Sequence, residues 1–287
     1  MDLNFEIDEK HNSIRLIKPD SFTPSHIFEN GQCFRWEKMG PEHYIGIAHG
    51  KVLEVEKIGD DILLSNCTYK EFNDIWYGYF DMDTDYRLIK KKISTDDFSS
   101  RAVKFANGLR MLKQEYFEVL VSFLASQNNN IPRIKKIIRS LCERYGRKII
   151  YKGEEYRAFP GKEDFKDISA SSLDFCRAGY RCEYFSALSR TEIPLREQLL
   201  ILDAEKKREA LYAIKGIGPK VAECVLLFSG IDPNAFPIDT WVKKIMKEIY
   251  GVQGSNEKLR EFAFGKFGLM SGTAQQYLFN YARYLKM

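Results

Sequence analysis

The chain has 287 residues, of which 44% are hydrophobic and 29% are charged. This composition is typical of a globular protein of about two domains, and it excludes fibrous and disordered chains. No apolar run in the sequence approaches the roughly 18 residues that a membrane span needs, and residues 1–10 are acidic, unlike a secretion signal. We therefore expect a cytoplasmic protein, and the compact length favours a prokaryotic one.

The net formal charge of +4 conceals an uneven distribution along the chain. Residues 1–100 carry 12 Lys and Arg against 19 Asp and Glu, whereas residues 101–287 carry 32 against 21. A basic segment next to an acidic one suggests that the basic part binds a polyanion. Uneven charge by itself is equally compatible with no such function, so other features must decide.

The histidines and cysteines exclude several kinds of active site. All of the histidines lie within the first 50 residues: His11, His26, His43 and His49. The basic part therefore has no histidine for a Ser-His-Asp triad or a metal site, unless one reaches across from those residues. None of the six cysteines forms a C-x-x-C pair, which argues against a zinc ribbon and an iron–sulfur cluster. We expect reduced thiols and no metal ligands.

Short β-rich runs separated by Gly, Pro, Asn and Asp predict a twisted antiparallel sheet in residues 1 to about 75. The runs are Ser13–Ile17, Tyr44–Ala48, Val52–Val55 and Asp61–Leu64. From about Tyr86 onward the pattern is helical, apart from a polar stretch near residues 151–168. We therefore predict an α+β fold, with an N-terminal sheet domain in residues 1–105 and a helical region in residues 106–287.

Capping residues and helix breakers mark the ends of several predicted helices. These helices are Glu115–Gln127, Pro132–Gly146, Asp203–Ile214, Pro219–Gly230, Asp239–Tyr250 and Ala274–Leu285. Pro132 and Pro219 stand at first helical positions, where the missing N–H has no cost. Asp203 and Asp239 are predicted N-caps, and the run Asn128–Asn130 halts the helix before it.

The most informative segment runs from Leu211 to Cys224. A helix ends there, a Gly216-Ile-Gly218 turn follows, and a second helix begins at Pro219. Because the first N–H groups of a helix have no partner within it, this turn suits a phosphate. The segment has neither the G-x-x-x-x-G-K-[ST] loop nor the last glycine of the G-x-G-x-x-G fingerprint. A glycine turn between helices also occurs for structural reasons alone.

Lys220 and Asp239 are the candidate reactive groups. Lys220 lies in the first turn of its helix, where the dipole disfavours the ammonium and so favours the neutral amine that a nucleophile requires. A single lysine is nevertheless more often a solvated surface residue, and an N-cap role would be enough to explain Asp239. Tyr180-Arg181 lie in a polar break between helices, and such an aromatic could wedge into a base step of DNA.

Together these segments resemble the helix-hairpin-helix (HhH-GPD) DNA glycosylases, and within them the branch of 8-oxoguanine DNA glycosylase/AP lyases. The matching segments are Gly31–Trp36, Gly108–Gln114, Ser126–Ile131, Gly179–Arg181, Lys215–Cys224, Pro237–Asp239 and Gln275–Phe279. The hairpin alone indicates only the superfamily, and the combination is much more specific. The resemblance implies two helical subdomains with the active-site cleft between them.

The resemblance implies a catalytic pair and a base pocket. Lys220 corresponds to the nucleophile that attacks C1′, expels the damaged base and forms a Schiff base, after which β-elimination nicks the strand. Asp239 corresponds to the carboxylate that stabilises the developing sugar cation. The implied pocket residues are Gly31, Cys224, Phe228, Gln275 and Phe279. The carbonyl of Gly31 would accept from N7–H, Gln275 would read the Watson–Crick edge, and Phe279 would stack on the base opposite the thiol of Cys224.

The resemblance also implies contacts with DNA outside the pocket. The residues are Asn128, Arg133, Tyr180, Arg181, Gly216, Gly218, Val221 and Trp241. The asparagine and the two arginines would read the orphan cytosine, the tyrosine would wedge into the stack, and the hairpin backbone would hold a phosphate. The implied partner is duplex DNA with 8-oxoguanine opposite cytosine, bound by a monomer. No cofactor is implied beyond a structural monovalent cation that the hairpin could hold.

Two residues depart from the pattern of this branch. Trp241 stands where the branch usually has a histidine, and Phe228 stands where methionine is common. These departures concern the phosphate contact and the shape of the pocket wall, and they leave Lys220 and Asp239 in place. The iron–sulfur cysteines of the endonuclease III and adenine-glycosylase relatives are absent from the sequence, which argues against those branches.

Other functions stay open at this point. A glycosylase of the same fold for other lesions, such as alkylated purines, usually lacks a lysine at the hairpin position. A non-catalytic helix-hairpin-helix module that binds DNA would leave the pairing of Lys220 with Asp239 unexplained. A metal-dependent nuclease is the weakest alternative, because the sequence has no cluster of carboxylates or histidines.

Overall fold

The N-terminal part folds as an antiparallel sheet. The computed structural model describes residues 4–287, and within them the strands are β1 Phe5–Asp8, β2 Ser13–Leu16, β3 Trp36–Gly40, β4 His43–Ala48, β5 Lys51–Ile58 and β6 Asp61–Ser65. These six form one sheet in the order β1-β2-β6-β5-β4-β3, with every neighbouring pair antiparallel. The predicted antiparallel sheet is confirmed, and β1 and β3 extend it.

Alternation of apolar residues along the strands builds the core under this sheet. Ile14 and Leu16 alternate along β2, so they share one face of the sheet, and both are fully buried. Ile14 lies opposite Leu64 of β6, which is buried on the same face. The buried indoles of Trp36 and Trp76 pack into the same hydrophobic cluster. Burial of such large aromatic surfaces stabilises this domain.

Helices form most of the remaining chain. They are α1 Pro24–Phe28, α2 Tyr69–Glu71, α3 Tyr77–Tyr79, α4 Tyr86–Ile93, α5 Asp97–Phe105, α6 Tyr116–Ser126, α7 Ile131–Tyr145, α8 Arg181–Arg190, α9 Arg196–Leu200, α10 Ala204–Tyr212, α11 Pro219–Phe228, α12 Thr240–Glu248, α13 Asn256–Phe267 and α14 Ser271–Tyr284. Across residues 4–287, no helix combines the length and the apolar character that crossing a bilayer would require.

The polar stretch inside the helical region contains a small hairpin. Strands β7 Lys148–Tyr151 and β8 Glu154–Arg157 pair antiparallel. Both residues of the connecting turn, Lys152 and Gly153, have positive φ angles, as a two-residue turn that matches the strand twist requires. The sequence pattern indicated only a break between helices here, so this hairpin adds detail to the helical region.

The division into domains follows the hydrophobic clusters only in part. Tyr86 of α4 and Phe98 of α5 pack into the large helical cluster, although both precede residue 106 in the chain. Helix α5 lies against α14, near the other end of the sequence. The boundary at residues 105 and 106 therefore stays a prediction.

A buried amide fixes the loop that carries Gly31. The side-chain amide of Gln32 donates to the carbonyls of Ile27 at 2.9 Å and Arg110 at 2.8 Å, and its oxygen accepts from the N–H of Leu112 at 2.9 Å. Gln32 is fully buried, so each of these bonds satisfies a group that water cannot reach. The Gly31–Trp36 segment is thereby joined to the segment that begins at Gly108.

A second amide joins this loop to the helical region. The side chain of Gln114 donates to the carbonyl of Gln32 at 2.7 Å, and the backbone N–H of Gln114 donates to the carbonyl of Phe228 at 3.0 Å. Phe228 ends α11, the helix that begins at Pro219. The two buried glutamines therefore hold Gly31 in register with the hairpin helix.

Candidate active site

The turn between α10 and α11 presents unpaired backbone donors. Within residues 4–287, the N–H groups of Gly216, Gly218, Lys220 and Val221 donate to no acceptor. Gly216 has φ +92°, and a Cβ atom there would lie 2.5 Å from the ring of Tyr184, so the close packing of the turn requires glycine. These donors surround the N-terminus of α11, and together they form a site that suits an anion such as phosphate.

Lys220 projects from the second position of α11 and is half-buried. Its Nζ lies 3.3 Å from the hydroxyl oxygen of Ser126 and 5.4 Å from the ring centroid of Phe123. No carboxylate among residues 4–287, including that of Asp239, lies within 4.0 Å of this amine. The amine is therefore held by a hydroxyl and a ring face, and no neighbouring acid neutralises it.

Asp239 lies at the N-cap of α12, and its Oδ1 accepts from the N–H of Val242 at 2.8 Å. The predicted cap is present. Burial raises the pKa of this carboxyl above its usual value, although the bond from Val242 and the charge of Lys220 act in the opposite direction. The backbone N–H groups of Trp241 and of Asp239 itself also act to lower this pKa, and the carboxyl lines the cleft.

These two groups face one cleft together with the predicted pocket residues. The cleft is lined by Gly31, Phe123, Lys220, Cys224, Phe228, Pro237, Asp239, Gln275, Gln276 and Phe279. All seven residues that the sequence assigned to the catalytic pair and the base pocket are therefore brought together. Sequence reasoning missed Phe123, Pro237 and Gln276. Pro237 and Gln276 had a signal, since both lie in segments that carry the resemblance, whereas Phe123 had none.

The walls of the cleft are aromatic and apolar. The ring of Phe228 stacks on that of Phe123, with centroids 5.1 Å apart and planes inclined by 15°. Burial raises the pKa of the Cys224 thiol to about 11 despite the nearby Lys220 ammonium, so the thiol is protonated at neutral pH. The guanidinium of Arg283 lies 5.4 Å from the ring centroid of Phe279. A flat, apolar ligand would be enclosed by such walls.

Two adjacent amides lie at the buried end of the cleft. Gln275 donates from Nε2 to the carbonyl oxygen of Pro237 at 3.2 Å. Gln276 donates from Nε2 to Oε1 of Gln275 at 2.7 Å. Each glutamine is only 3% exposed, so both amides are shielded from water.

The predicted DNA-contacting residues divide into exposed and buried ones. Asn128, Arg133 and Tyr180 are exposed, and Asn128 has φ +44°, a conformation that asparagine tolerates better than most residues. The hydroxyl of Tyr180 donates to the carbonyl of Gln127 at 3.3 Å. These residues therefore form a rim around the run Asn128–Asn130.

Arg181 is buried, at 2% exposed, and its guanidinium holds the rim in place. It donates to the carbonyls of Gln127, Asn128 at 2.9 Å and Ala178 at 3.0 Å, and its guanidinium carbon lies 4.5 Å from the ring centroid of Tyr180. Most of its donors are thus occupied by backbone carbonyls in this structure. Sequence reasoning did not predict this burial.

Trp241 lies at the second position of α12, beside the Asp239 cap. It is half-buried and packs against the large hydrophobic cluster, and it is not among the residues that line the cleft. The structure thus places Trp241 at the start of a helix and outside the pocket.

Comparisons with known proteins agree with this arrangement of lysine, carboxylate and apolar cleft. Residues 14–120 match the family model of the 8-oxoguanine DNA glycosylase N-terminal domain, and residues 121–267 match that of the HhH-GPD superfamily of base excision DNA repair proteins. The chain therefore belongs to the HhH-GPD superfamily, in the group that carries the N-terminal domain of the 8-oxoguanine DNA glycosylases. The resemblance stated from the sequence motifs is confirmed.

Individual relatives and solved structures agree with this assignment. A probable N-glycosylase/DNA lyase of Methanothermobacter thermautotrophicus is 32% identical over 231 residues, which are 71% of each chain. The 8-oxoguanine glycosylase/lyase of Clostridium acetobutylicum without ligand is 41% identical, with a TM-score of 0.92 over 98% of this chain and 100% of that one. The same enzyme bound to double-stranded DNA with cytosine opposite 8-oxoguanine is 40% identical, with a TM-score of 0.94 over 100% of both chains.

Proposed function

We propose that this protein is a bifunctional DNA glycosylase/AP lyase that excises 8-oxoguanine opposite cytosine from duplex DNA and then nicks the strand. The observation that carries the proposal is one cleft that contains the hairpin amine of Lys220, the capping carboxylate of Asp239 and a buried glutamine amide. An amine nucleophile distinguishes this chemistry from simple hydrolysis, because it gives a covalent intermediate. The glycosylase/lyase relatives support the same assignment.

Lys220 performs the covalent steps. Its neutral amine forms a bond to C1′ of the flipped nucleotide, while the bond from C1′ to N9 breaks and its electron pair leaves with the base, which takes up a proton. Opening of the sugar ring then gives a Schiff base between Nζ and C1′. Loss of a proton from C2′ breaks the bond between C3′ and its oxygen, so the 3′ phosphate leaves and the strand is cut.

Asp239 stabilises the sugar while it carries positive charge. Its carboxylate is half-buried, and a charge shielded from water acts more strongly on a nearby developing cation than a solvated one does. Lys220 and Asp239 form no ion pair with each other, which leaves a gap between them for the sugar. A direct ion pair would have closed that gap and neutralised both groups.

The apolar walls and the buried amides bind the base. The carbonyl of Gly31 accepts from N7–H, which 8-oxoguanine has and guanine lacks. The thiol of Cys224 and the ring of Phe279 enclose the two faces of the base, with Phe228 in the wall behind, and Gln275 reads the Watson–Crick edge. Flipping the base out of the stack costs a few kcal/mol, which these contacts offset.

The exposed rim and the hairpin bind the rest of the duplex. Asn128 and Arg133 fill the space that the flipped base leaves and contact the orphan cytosine, and Tyr180 wedges beside it. Arg181 holds this rim, and its remaining donor capacity is available to the cytosine. The N–H groups of Gly216, Gly218 and Val221 hold one phosphate, and Trp241 contacts another. The unpaired backbone donors support this part of the proposal.

The reaction needs no organic cofactor, because an amine and a carboxylate supply all of its chemistry. We also propose a structural monovalent cation at the hairpin. The carbonyl oxygens of Lys215 and Ile217 accept no hydrogen bond within residues 4–287, and oxygen ligands of this kind suit a hard cation. Its role would be to stiffen the turn that binds the phosphate, apart from any chemical step.

A monomer on chromosomal DNA in a prokaryotic cytoplasm fits these properties. All six cysteines are free and buried, which fits a reducing compartment. The substrate is the chromosome, so the protein would associate with the nucleoid. A single chain contributes every residue assigned to the pocket, so catalysis requires no second copy.

Borohydride trapping tests the proposal. Borohydride reduces the Schiff base to a stable amine, so the native protein should become linked to duplex DNA that holds one 8-oxoguanine opposite cytosine. Lys220→Gln should give no adduct, whereas Lys247→Gln, an exposed lysine at the far end of α12, should give as much as the native protein. Lack of adduct with native protein would refute the lyase, and full adduct from Lys220→Gln would refute the nucleophile.

The alternatives predict other outcomes of the same experiment. A glycosylase for alkylated purines that uses water would release such bases and leave no trapped adduct. A non-catalytic DNA-binding module would bind the duplex and leave both base and strand intact.

A further inference from the structure

The orientation of the two buried glutamines follows from a single carbonyl. The oxygen of Pro237 can only accept, so Gln275 must turn its NH2 group toward it, as the 3.2 Å bond shows. Oε1 of Gln275 then faces Gln276, which must present its own NH2 group, as the 2.7 Å bond shows. Oε1 of Gln276 is therefore the amide oxygen that takes no part in these two bonds.

That oxygen is buried and has no hydrogen-bond partner within residues 4–287. Gln276 is 3% exposed and lines the cleft beside Gln275. Eight buried side-chain N or O atoms of residues 4–287 have no partner, and the oxygen of Gln276 is the one among them whose residue lines the cleft, where a ligand can supply the donor. The ligand of the cleft is the natural source of that donor.

A guanine-type base brings the donors that this amide pair lacks. Its Watson–Crick edge carries one N1–H and two hydrogens on the exocyclic amine at C2. Oε1 of Gln275 already accepts one bond from Gln276, which leaves it one lone pair for the base. A single remaining acceptor site cannot satisfy donors on two different nitrogen atoms.

We propose that Gln276 is a specificity-determining residue of this site. Its NH2 group holds the oxygen of Gln275 toward N1–H, and its own Oε1 accepts from the exocyclic amine of the flipped base. This inference rests on the proposed function, because the base that the pair reads is the excised lesion. The two neighbouring glutamines thus form one receptor with two acceptors for a guanine-type edge.

Substrates that differ in one group test this inference. The native protein should excise 8-oxoguanine about tenfold faster than 8-oxohypoxanthine, which lacks only the exocyclic amine, in single-turnover assays. Gln276→Met keeps the length of the side chain and removes the acceptor, and it should reduce this ratio toward one. Gln276→Asn keeps the amide but cannot reach its partners, and it should behave in the same way.

An abasic duplex separates base reading from the rest of the reaction. Such DNA has no base to recognise, so both variants should nick it within about twofold of the native rate, since Lys220 is untouched. Gln253→Met, at an exposed glutamine, is the matched control and should keep the native ratio. Failure of native protein to excise 8-oxoguanine would refute the proposed function instead.

Two results would overturn the role of Gln276. One is an unchanged ratio of 8-oxoguanine to 8-oxohypoxanthine excision in both variants. The other is an equal loss of base excision and abasic nicking, because a merely structural residue would weaken every activity together. If Gln276→Met does not fold, as its urea-unfolding midpoint would show, the ratio of 8-oxoguanine to 8-oxohypoxanthine excision by Gln276→Asn still tests the role of Gln276.

Discussion

The carboxylate of Glu223 accepts a hydrogen bond at 2.7 Å from the backbone N–H of Phe236, three residues before Asp239. Glu223 lies on α11, three residues after Lys220, and it is 1% exposed. Arg208 of α10 donates to the same carboxylate at 2.6 Å. One buried acid thus joins both helices of the hairpin to the segment that carries the Asp239 carboxylate.

Removal of this acid should be strongly destabilising. Glu223→Ala removes the buried carboxylate that pairs with the guanidinium of Arg208 and accepts from the N–H of Phe236, and we expect a loss of about 3–5 kcal/mol in the free energy of unfolding. Urea unfolding followed by circular dichroism measures it. Glu205→Ala removes an exposed carboxylate 3.6 Å from the same arginine and should cost less than about 1 kcal/mol. Similar losses in both variants would contradict the bracing role of Glu223.

Asp239 should give the excision rate an acid limb. The carboxyl acts when ionised, and burial raises its pKa, so the rate should fall as the pH is lowered through a value above that of an exposed aspartate. Asp239→Asn keeps an oxygen that can cap α12 but loses the charge, so excision should fall by about 10²–10³ and lose this limb. Single-turnover excision across the pH range measures both effects.

A matched control separates capping from charge. Asp203 caps α10 through the N–H of Lys206, and its carboxyl is exposed, so Asp203→Asn should leave the rate and its pH dependence unchanged. An acid limb that persists in Asp239→Asn would assign the limb to another group.

Asp239→Asn should also raise the stability of the folded protein at neutral pH. A carboxyl with a raised pKa in the folded state binds its proton more tightly there than in the unfolded chain. Its stabilising contribution is therefore full below the unfolded pKa and is lost as the pH rises through the folded pKa. At pH 7 the ionised Asp239 costs stability, so Asp239→Asn should unfold at a higher urea concentration than the native protein. A lower midpoint would show that the charge stabilises the fold.

The sequence predicted those parts of the site that depend on local signals or on motif resemblance. Pro219 and Asp239 begin α11 and α12 as expected, because helix N-termini are determined by residues within one turn. The place of Gly31 and Gln275 in one pocket came from the resemblance, since they are far apart in the chain. In the structure both residues line the same cleft.

The remaining features depend on tertiary packing, which local patterns do not encode. Arginine side chains are usually exposed, yet the guanidinium of Arg181 is buried against backbone carbonyls. The unpaired oxygen of Gln276 exists only because the carbonyl of Pro237 orients both amides. The β7–β8 hairpin was missed because its strands have four residues each and its Lys152-Gly153 turn lacks the usual Asn-Gly or Asp-Gly signal.

Arg133, which is proposed to contact the orphan cytosine, should also contribute one positive charge to DNA binding from the exposed rim. Its guanidinium donates to the carbonyl of Arg177 at 3.2 Å and pairs with no acid of residues 4–287. Because a bound cation releases counterions from DNA, Arg133→Gln should lower the slope of log affinity against log salt by about 0.9. Fluorescence anisotropy between about 50 and 200 mM salt, the range in which counterion release is commonly resolved, measures the slope. Arg101, whose guanidinium is paired with Asp97 on α5, gives the control: Arg101→Gln should leave the slope unchanged. Equal slopes for the native protein and both variants would show that Arg133 does not belong to the DNA-binding face.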